Sequence, residues 1–355
     1  CSSDLLMGLF WIFFLTIFLS WIEIYNRKAG YPWPWLIHTS PPLILLHGPG
    51  LWFYIQSLTR PSFRFRTIHL FHFLPFVILV TGFTLETYSL PADIKINMEI
   101  SQSFQGQWLY PVGLLSVLVS TQGYNVWGIY LLRQHKKRLK CCYSETEKRD
   151  LKWLKFLLSG TILSYALISI LYIADYLTGL MPYGIMQVSG YSVASLFILI
   201  LGFYGFRQGD LFLGSQIKLK AEDIPLSPND LTSIEQRLRP EDEVAVVRLV
   251  EYMKTKKPYL EPELTLTALS QGCGLPSDYL SSLLNQHLGV NFYDFVNQYR
   301  IDEFKQQLQV PENRKLTLVS IAFDSGFQSK ATFNRVFKKV TGLTPSEYMR
   351  KVSTK

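Results

Sequence analysis

A segment near the C-terminus, residues 326–348, has the residue types and spacing that most clearly indicate a functional site in this chain. An isolated glycine, Gly326, is followed by Ser329, whose side chain can cap the start of a helix. Phe333, Val336 and Phe337 then recur at the spacing of one helix face, which predicts a buried apolar stripe. A turn followed by such a helix is typical of a helix-turn-helix, which places a recognition helix in the major groove of DNA.

The sequence around this segment predicts two helix-turn-helix units rather than one. Glycine-containing turns separate the paired helices, and Pro276 stands at a helix start, where its missing N–H costs nothing. The predicted elements are a first unit at 264–288 (helix Leu264–Gln271, turn Gly272-Cys273-Gly274), a long amphipathic spacer helix over Phe292–Gln309, and a second unit at 316–341 (first helix Leu316–Asp324, turn at Gly326).

Residues 241–352 resemble the C-terminal domain of the AraC/XylS family of bacterial transcription regulators. The resemblance covers about 110 residues, and it rests on a series of motifs in a fixed order rather than on one helix-turn-helix. It implies an all-α DNA-binding domain without catalytic residues or cofactors. The motifs are Leu264-Thr265-Leu266 with Ala268-Leu269, Asn297-Gln298-Tyr299-Arg300-Ile301, Ile321-Ala322 with Gly326-Phe327, Phe333-Asn334-Arg335-Val336-Phe337-Lys338-Lys339, and Gly342-Leu343-Thr344-Pro345-Ser346-Glu347-Tyr348.

The resemblance also implies which side chains meet double-stranded DNA. Family geometry places two recognition helices in successive major-groove segments. Arg335 could donate two hydrogen bonds to guanine, and Asn334 could serve adenine or a phosphate. Lys338 and Lys339 are expected to contact phosphates or to remain solvated. The implied base-edge positions are Asp278, Ser281 and Ser282 in the first recognition helix, and Lys330, Ala331, Asn334 and Arg335 in the second.

Charge differs sharply between the two units. Residues 263–313 carry two basic and six acidic residues, whereas residues 314–351 carry eight basic and two acidic residues. Asp278 and the short serines also depart from the usual pattern of a DNA-facing helix. Because phosphate attraction supplies much of the affinity of DNA-binding proteins, we expect the second unit to dominate binding and the first to adjust register.

The N-terminal part of the chain predicts a lipid-embedded helical bundle. Only 17% of the 355 residues are charged, against about 25% in ordinary soluble proteins. The formal net charge of +8 suits either DNA or anionic lipid and does not discriminate between them. Six apolar stretches are each long enough to cross a bilayer. They are Leu5–Tyr25, Trp35–Leu58, Ile68–Tyr88, Leu109–Leu132, Leu154–Leu177 and Gly184–Phe206.

Basic residues set the expected orientation of these spans. They concentrate in the loops at 59–66 and 133–153 and after the last span at Arg207, so the positive-inside rule places these segments in the cytoplasm. Six spans also place the N-terminus there. His47-Gly48-Pro49 and the run Phe53-Tyr54-Ile55-Gln56-Ser57-Leu58-Thr59 resemble the sensor part of membrane-bound family members, which implies a multi-pass protein of the bacterial inner membrane. Such members commonly have seven spans, so one N-terminal span is expected to be absent here.

Burying an ionisable side chain at membrane depth costs free energy, so such residues are expected to have a role. His47, His72 and Asp175 are the candidates for a ligand- or proton-sensing cavity; hydrogen-bonded packing within the bundle is the alternative. No acidic partner at useful spacing supports a metal site. The four cysteines fit neither a zinc site nor a secreted disulfide framework. The sequence therefore predicts no metal and no cofactor.

The predicted fold class is all-α, a polytopic transmembrane bundle followed by a tandem helix-turn-helix domain. The domains are 1–207, a cytoplasmic linker at 208–240 rich in proline and polar residues, and 241–355. A helix from near Glu241 to about Lys256 should open the last domain and bury Val244, Val247, Leu249, Val250 and Met253.

The favoured function is a membrane-anchored, sequence-specific transcription regulator that senses a ligand or envelope signal, acts as a homodimer and is not an enzyme. A transporter-like membrane half and a purely anchoring one stay as alternatives.

Overall fold

The computed structural model describes residues 2–60, 63–147, 151–178, 185, 188–196 and 240–353. The regular elements in these ranges are helices, and no strand occurs among the described residues, so the all-α prediction is confirmed. The chain divides into two compact units. The first comprises Cys1–Arg133 and Leu151–Lys218, and the second comprises Gln134–Asp150 and Leu219–Lys355. Residues 134–150, predicted as a loop between two spans, thus group with the helix-turn-helix part.

Among the described residues of the first unit, three stretches are long and apolar enough to cross a membrane: Gly8–Lys28, Thr67–Tyr88 and Trp153–Thr178. They correspond to the first, third and fifth predicted spans. The sixth lies largely outside the described residues, as does the linker at 208–239. The described part of this unit includes α1 (Ser2–Lys28), α2 (His47–Thr59), α3 (Leu74–Phe83), α4 (Ala92–Ser101), α5 (Leu109–Cys142, which continues into the second unit) and α6 (Lys152–Thr178).

The second predicted span, Trp35–Leu58, is not one continuous helix. Short 3-10 turns occupy Pro34–Leu36 and Pro41–Leu46, and only the last part is the 13-residue α2. Proline lacks the N–H that an α-helix needs and clashes with the preceding turn, so three prolines within nine residues prevent a straight helix. The fourth span is helical throughout as part of α5, but polar residues such as Gln122 and Asn125 leave it less apolar than the other three.

The second unit contains seven α-helices among its described residues. They are α7 (Pro240–Lys256), α8 (Leu266–Cys273), α9 (Ser277–Ser282, continued by a π-turn over Leu283–His287), α10 (Phe292–Gln309), α11 (Leu318–Asp324), α12 (Lys330–Thr341) and α13 (Pro345–Ser353). The predicted spacer helix therefore has the bounds of α10. Its side chains serve two cores, because Phe292 and Val296 pack with the first helix-turn-helix, whereas Ile301 and Phe304 pack with the second.

The face that α7 buries differs from the predicted one. Leu249 and Met253 are fully buried, as expected, but Val244 and Val247 are 68% and 65% exposed. Ala245 is buried in their place, so the inward stripe follows positions 245, 249 and 253 at an i, i+4 spacing. The small alanine gave no strong apolar signal in the sequence.

Candidate nucleic-acid interface

The second helix-turn-helix is built by two capped helices and a glycine turn. Thr317 caps α11 by accepting a hydrogen bond from the Ser320 N–H at 3.1 Å, and Ser329 caps α12 through the Thr332 N–H at 3.1 Å. The cap predicted at Ser329 is therefore confirmed. Each cap satisfies a backbone donor that the helix start would otherwise leave unpaired.

Gly326 permits the turn between α11 and α12. Its φ of +94° lies in the left-handed region, and a Cβ atom here would lie 2.3 Å from the carbonyl oxygen of Tyr259. Only glycine accommodates both constraints. The turn thus packs directly against the backbone of residue 259, which precedes the first helix-turn-helix.

The two faces of α12 are sharply different. Phe333, Val336 and Phe337 are buried, and the rings of Phe304 and Phe333 lie 4.7 Å apart. The opposite face carries polar and basic side chains at i, i+4, i+5, i+8 and i+9, with an alanine at i+1. Every predicted contact residue of this helix is exposed: Lys330, Ala331, Asn334, Arg335, Lys338 and Lys339.

Two of these exposed cations already have partners on α10. Arg335 Nη2 donates to the Tyr293 hydroxyl at 3.1 Å, and Lys339 Nζ donates to Asp294 Oδ1 at 2.7 Å. Tyr293 is only 3% exposed, and burial raises the pKa of its hydroxyl, which therefore stays neutral at physiological pH. These bonds hold both cations beside the first turn of α10. They would have to rearrange if Arg335 donated to a guanine.

The first helix-turn-helix presents a weaker polar surface. Asp278 is exposed, and the half-buried Ser282 donates its hydroxyl to Gln286 Oε1 at 3.0 Å. Ser281 differs from the prediction because it is 3% exposed, and its carbonyl accepts a hydrogen bond from Asn285 Nδ2 at 2.8 Å. A hydroxyl buried in this way does not reach a base edge in this arrangement. Residue type and helical position indicated a contact, but the burial of this side of the helix was not visible in the sequence.

A buried arginine, which belongs to one of the family motifs and was counted as a charge but given no structural role, organises the centre of the domain. Arg300 is 0% exposed, and its guanidinium donates five hydrogen bonds, four to backbone carbonyls and one to a hydroxyl. Burial lowers the pKa of Arg300 to about 10, so the side chain remains charged at neutral pH. The acceptors are the carbonyls of Tyr259, Glu261, Pro262 and Ser144, and Ser144 Oγ.

The first unit contains an apolar cavity of about 180 Å³. His47 is among its lining residues; its Nε2 lies 2.9 Å from Thr16 Oγ1, and its Nδ1 contacts the Tyr165 hydroxyl. His72 and Asp175 are not among the residues that line this cavity in the described part of the chain. His72 instead pairs through Nδ1 with the Tyr124 hydroxyl at 2.6 Å, and Asp175 is 6% exposed.

Comparisons with known proteins bear on the C-terminal part alone. Residues 269–351 match the profile of a family described as "Helix-turn-helix domain". Over 90 residues the chain is 36% identical to an uncharacterized HTH-type transcriptional regulator of Staphylococcus aureus (strain COL), covering 25% of this chain and 12% of that protein. Over 75 residues it is 39% identical to the uncharacterized transcriptional regulatory protein YesN of Bacillus subtilis (strain 168), covering 21% of this chain and 20% of that protein.

The chain thus matches about an eighth of the length of the Staphylococcus aureus regulator and a fifth of that of YesN. No solved structure matches it significantly. The C-terminal part is a helix-turn-helix domain homologous to those of transcription regulators, and this homology supports DNA-binding transcription regulation.

Proposed function

We propose that this chain is a membrane-anchored, sequence-specific transcription regulator whose second helix-turn-helix supplies most of the DNA contacts. The observation that carries the proposal is the division of α12 into a buried aromatic face and an exposed face with four basic side chains. A recognition helix needs this arrangement, because one face must anchor it to the domain while the other meets bases and phosphates.

The proposal that the first unit is embedded in a membrane rests on its exposed apolar surface. The three long apolar stretches expose large side chains that a water-soluble unit would bury, among them Trp11 at 58%, Leu85 at 73% and Leu163 at 72% exposure. Contiguous apolar surface of this kind is typical of contact with lipid or with a partner. Together with the basic loops at 59–66 and 133–153, it favours an inner-membrane bundle with a cytoplasmic DNA-binding domain.

The deciding experiment is genome-wide crosslinking of the membrane-embedded protein to DNA. Arg335→Ala and Lys330→Ala should each remove discrete peaks, since a good base contact contributes about 1–3 kcal/mol. Lys254→Ala removes an exposed cation from α7, away from the recognition helix, and should leave the peaks unchanged. Loss of peaks in all three variants would indicate a non-specific charge effect and contradict the proposal.

For the signal, we propose a small, mostly apolar molecule in the cavity of the first unit. The polar groups that line it near His47 already pair with one another, so they do not demand a charged ligand. Gly113 lines the cavity on α5, and a leucine there would fill it; Gly123 lies on the same helix with open space around it. Gly113→Leu should abolish the change in promoter occupancy that an inducing condition causes, whereas Gly123→Leu should preserve it. Equal responses in both variants would contradict the cavity as the site where the signal acts.

A further inference from the structure

The segment 143–147, in the second unit, is seated on the helix-turn-helix domain. Ser144 is fully buried; its N–H donates to the Leu264 carbonyl at 3.2 Å, and its hydroxyl donates to the same oxygen at 2.8 Å. From α10, Asn297 Nδ2 donates to the Ser144 carbonyl at 3.2 Å, and Arg300 Nη2 donates to Ser144 Oγ at 3.1 Å. These bonds fix the position of the residues that follow.

Those residues carry a carboxylate to the start of the recognition helix. Glu147 accepts a hydrogen bond from Thr332 Oγ1 at 2.8 Å and another from the hydroxyl of Ser329, the N-cap of α12. A negative charge at this position is favoured by the helix dipole and by the donors of the first turn. It is also the end of a recognition helix whose residues approach DNA.

A DNA phosphate would seek the same partners. Serine and threonine hydroxyls and helix N-termini are common donors to phosphate oxygens. The Glu147 carboxylate engages both hydroxyls and places a negative charge next to Lys330 and Ala331, where a phosphate would be repelled.

We propose that Glu147 is an intramolecular competitor of DNA. Segment 143–147 then acts as a clamp that masks the start of α12 and must leave when DNA binds. This inference rests on the proposed DNA-binding function.

A second contact links the same part of the chain to a candidate base-reading residue. Lys140, in the last turn of α5, places Nζ 5.3 Å from the centre of the Tyr293 ring. The hydroxyl of Tyr293 is the group that holds Arg335 at 3.1 Å. Residues 140–147 therefore touch both the N-terminus of α12 and the tyrosine that anchors its arginine. A permanent structural strap is the alternative, and it requires that DNA bind with these contacts intact.

The first test compares two changes of equal charge in the full-length protein, reconstituted in lipid nanodiscs. The probe is a fluorescent operator fragment recovered by the crosslinking experiment, and the readout is its affinity at about 0.15 M salt. Glu147→Gln should tighten binding by roughly 3- to 30-fold, as expected for removing a charge held at a helix N-terminus. Asp324→Asn, on the exposed surface of α11, should change it by less than about 2-fold. Equal changes in affinity for the two variants would show that only the net charge matters, and they would overturn the inference.

The second test asks whether the clamp leaves. Hydrogen exchange of amides 143–147 should rise by about 10-fold or more when wild-type protein binds the operator, because the Ser144 N–H loses its partner. Protection that persists in the DNA complex would identify a permanent strap and overturn the inference. If crosslinking recovers no operator DNA with either the wild type or the Glu147→Gln variant, both the proposed function and the clamp are refuted. Specific binding that Glu147→Gln leaves unchanged refutes the clamp alone.

Discussion

Replacing Arg300 with leucine should open the helix-turn-helix domain more than any surface change in it. The guanidinium donates to the carbonyls of Tyr259, Glu261 and Pro262 at 2.8, 2.7 and 3.2 Å, and it reaches Ser144 as well. Leucine would leave several buried carbonyl oxygens without a donor, and each unsatisfied group costs about 1–3 kcal/mol. Some of these oxygens would regain water, so we expect a net loss of about 3–5 kcal/mol, the range seen when a buried charged network is broken.

The stability measurement for Arg300→Leu has to report on the helix-turn-helix domain alone. All eight tryptophans lie at or before residue 153, so their fluorescence would follow the first unit. Hydrogen exchange of the α10 amides in the full-length protein avoids this problem, and a loss of 3–5 kcal/mol should accelerate it by roughly 10²- to 5 × 10³-fold. Lys305→Leu on the same helix removes a cation paired with Asp302 at 3.6 Å and should change exchange by less than about 5-fold. An effect of Arg300→Leu no larger than this control would refute the structural role given to the buried guanidinium.

Three further outcomes follow from the same domain. Gly326→Ala should cost about 2–4 kcal/mol, since it combines a left-handed φ with a Cβ placed against the Tyr259 carbonyl, and hydrogen exchange of α11 and α12 should show it. Thr265→Ala should cost about 1 kcal/mol by removing the cap that accepts the Ala268 N–H at 3.1 Å, with exchange rising chiefly in α8. Burial alone would raise the pKa of Glu303, but hydrogen bonds from Gln307, Lys257 and Tyr259 outweigh it and hold that pKa below 4.5. The ionised Glu303 carboxylate therefore stabilises the folded domain fully above about pH 4.5, and this stabilisation is lost as the pH falls through the lower folded-state pKa. Glu303→Gln should consequently reduce the difference in the Tm of this domain between pH 7 and pH 4.

The elements that the sequence predicted well are those whose determinants are local. The bounds of α10 follow from an amphipathic period that begins after Asn291, which caps the helix through the Asp294 N–H at 2.9 Å. The buried face of α12 follows from three apolar residues at helical spacing, and its start follows from one serine. Caps, turn glycines and periodicity all lie within a few residues of the structure that they specify.

The features that could not be predicted depend on contacts between distant residues. Arg300 counted as one of two basic residues in the first charge comparison, yet it is buried against Ser144, 156 positions earlier in the chain. Ser281 had a suitable type and helical position, but its burial depends on which side of α9 packs inward. The second predicted span was expected to cross a bilayer as an apolar stretch, and its prolines instead divide it into two 3-10 turns and a short helix.

The proposed clamp would give a physical reason for the proposed anchoring of the helix-turn-helix domain through a multi-helix bundle rather than through one span. The predicted connector at 208–240 could transmit a signal only by changing where the domain lies or what it pairs with. Helix α5 offers a different route, because it carries the cavity-lining residues Leu109 and Gly113 at its start and leads into segment 143–147 at its end. Shifting a clamped-to-open ratio from 9:1 to 1:9 takes about 2.6 kcal/mol, which a small ligand can supply if it binds the two states with different affinities. A single carboxylate at a helix N-terminus contributes at most about 2 kcal/mol. Glu147 would therefore supply only part of the bias toward the closed state, beside the buried hydrogen bonds of Ser144, and a signal in the proposed bundle would have to offset both.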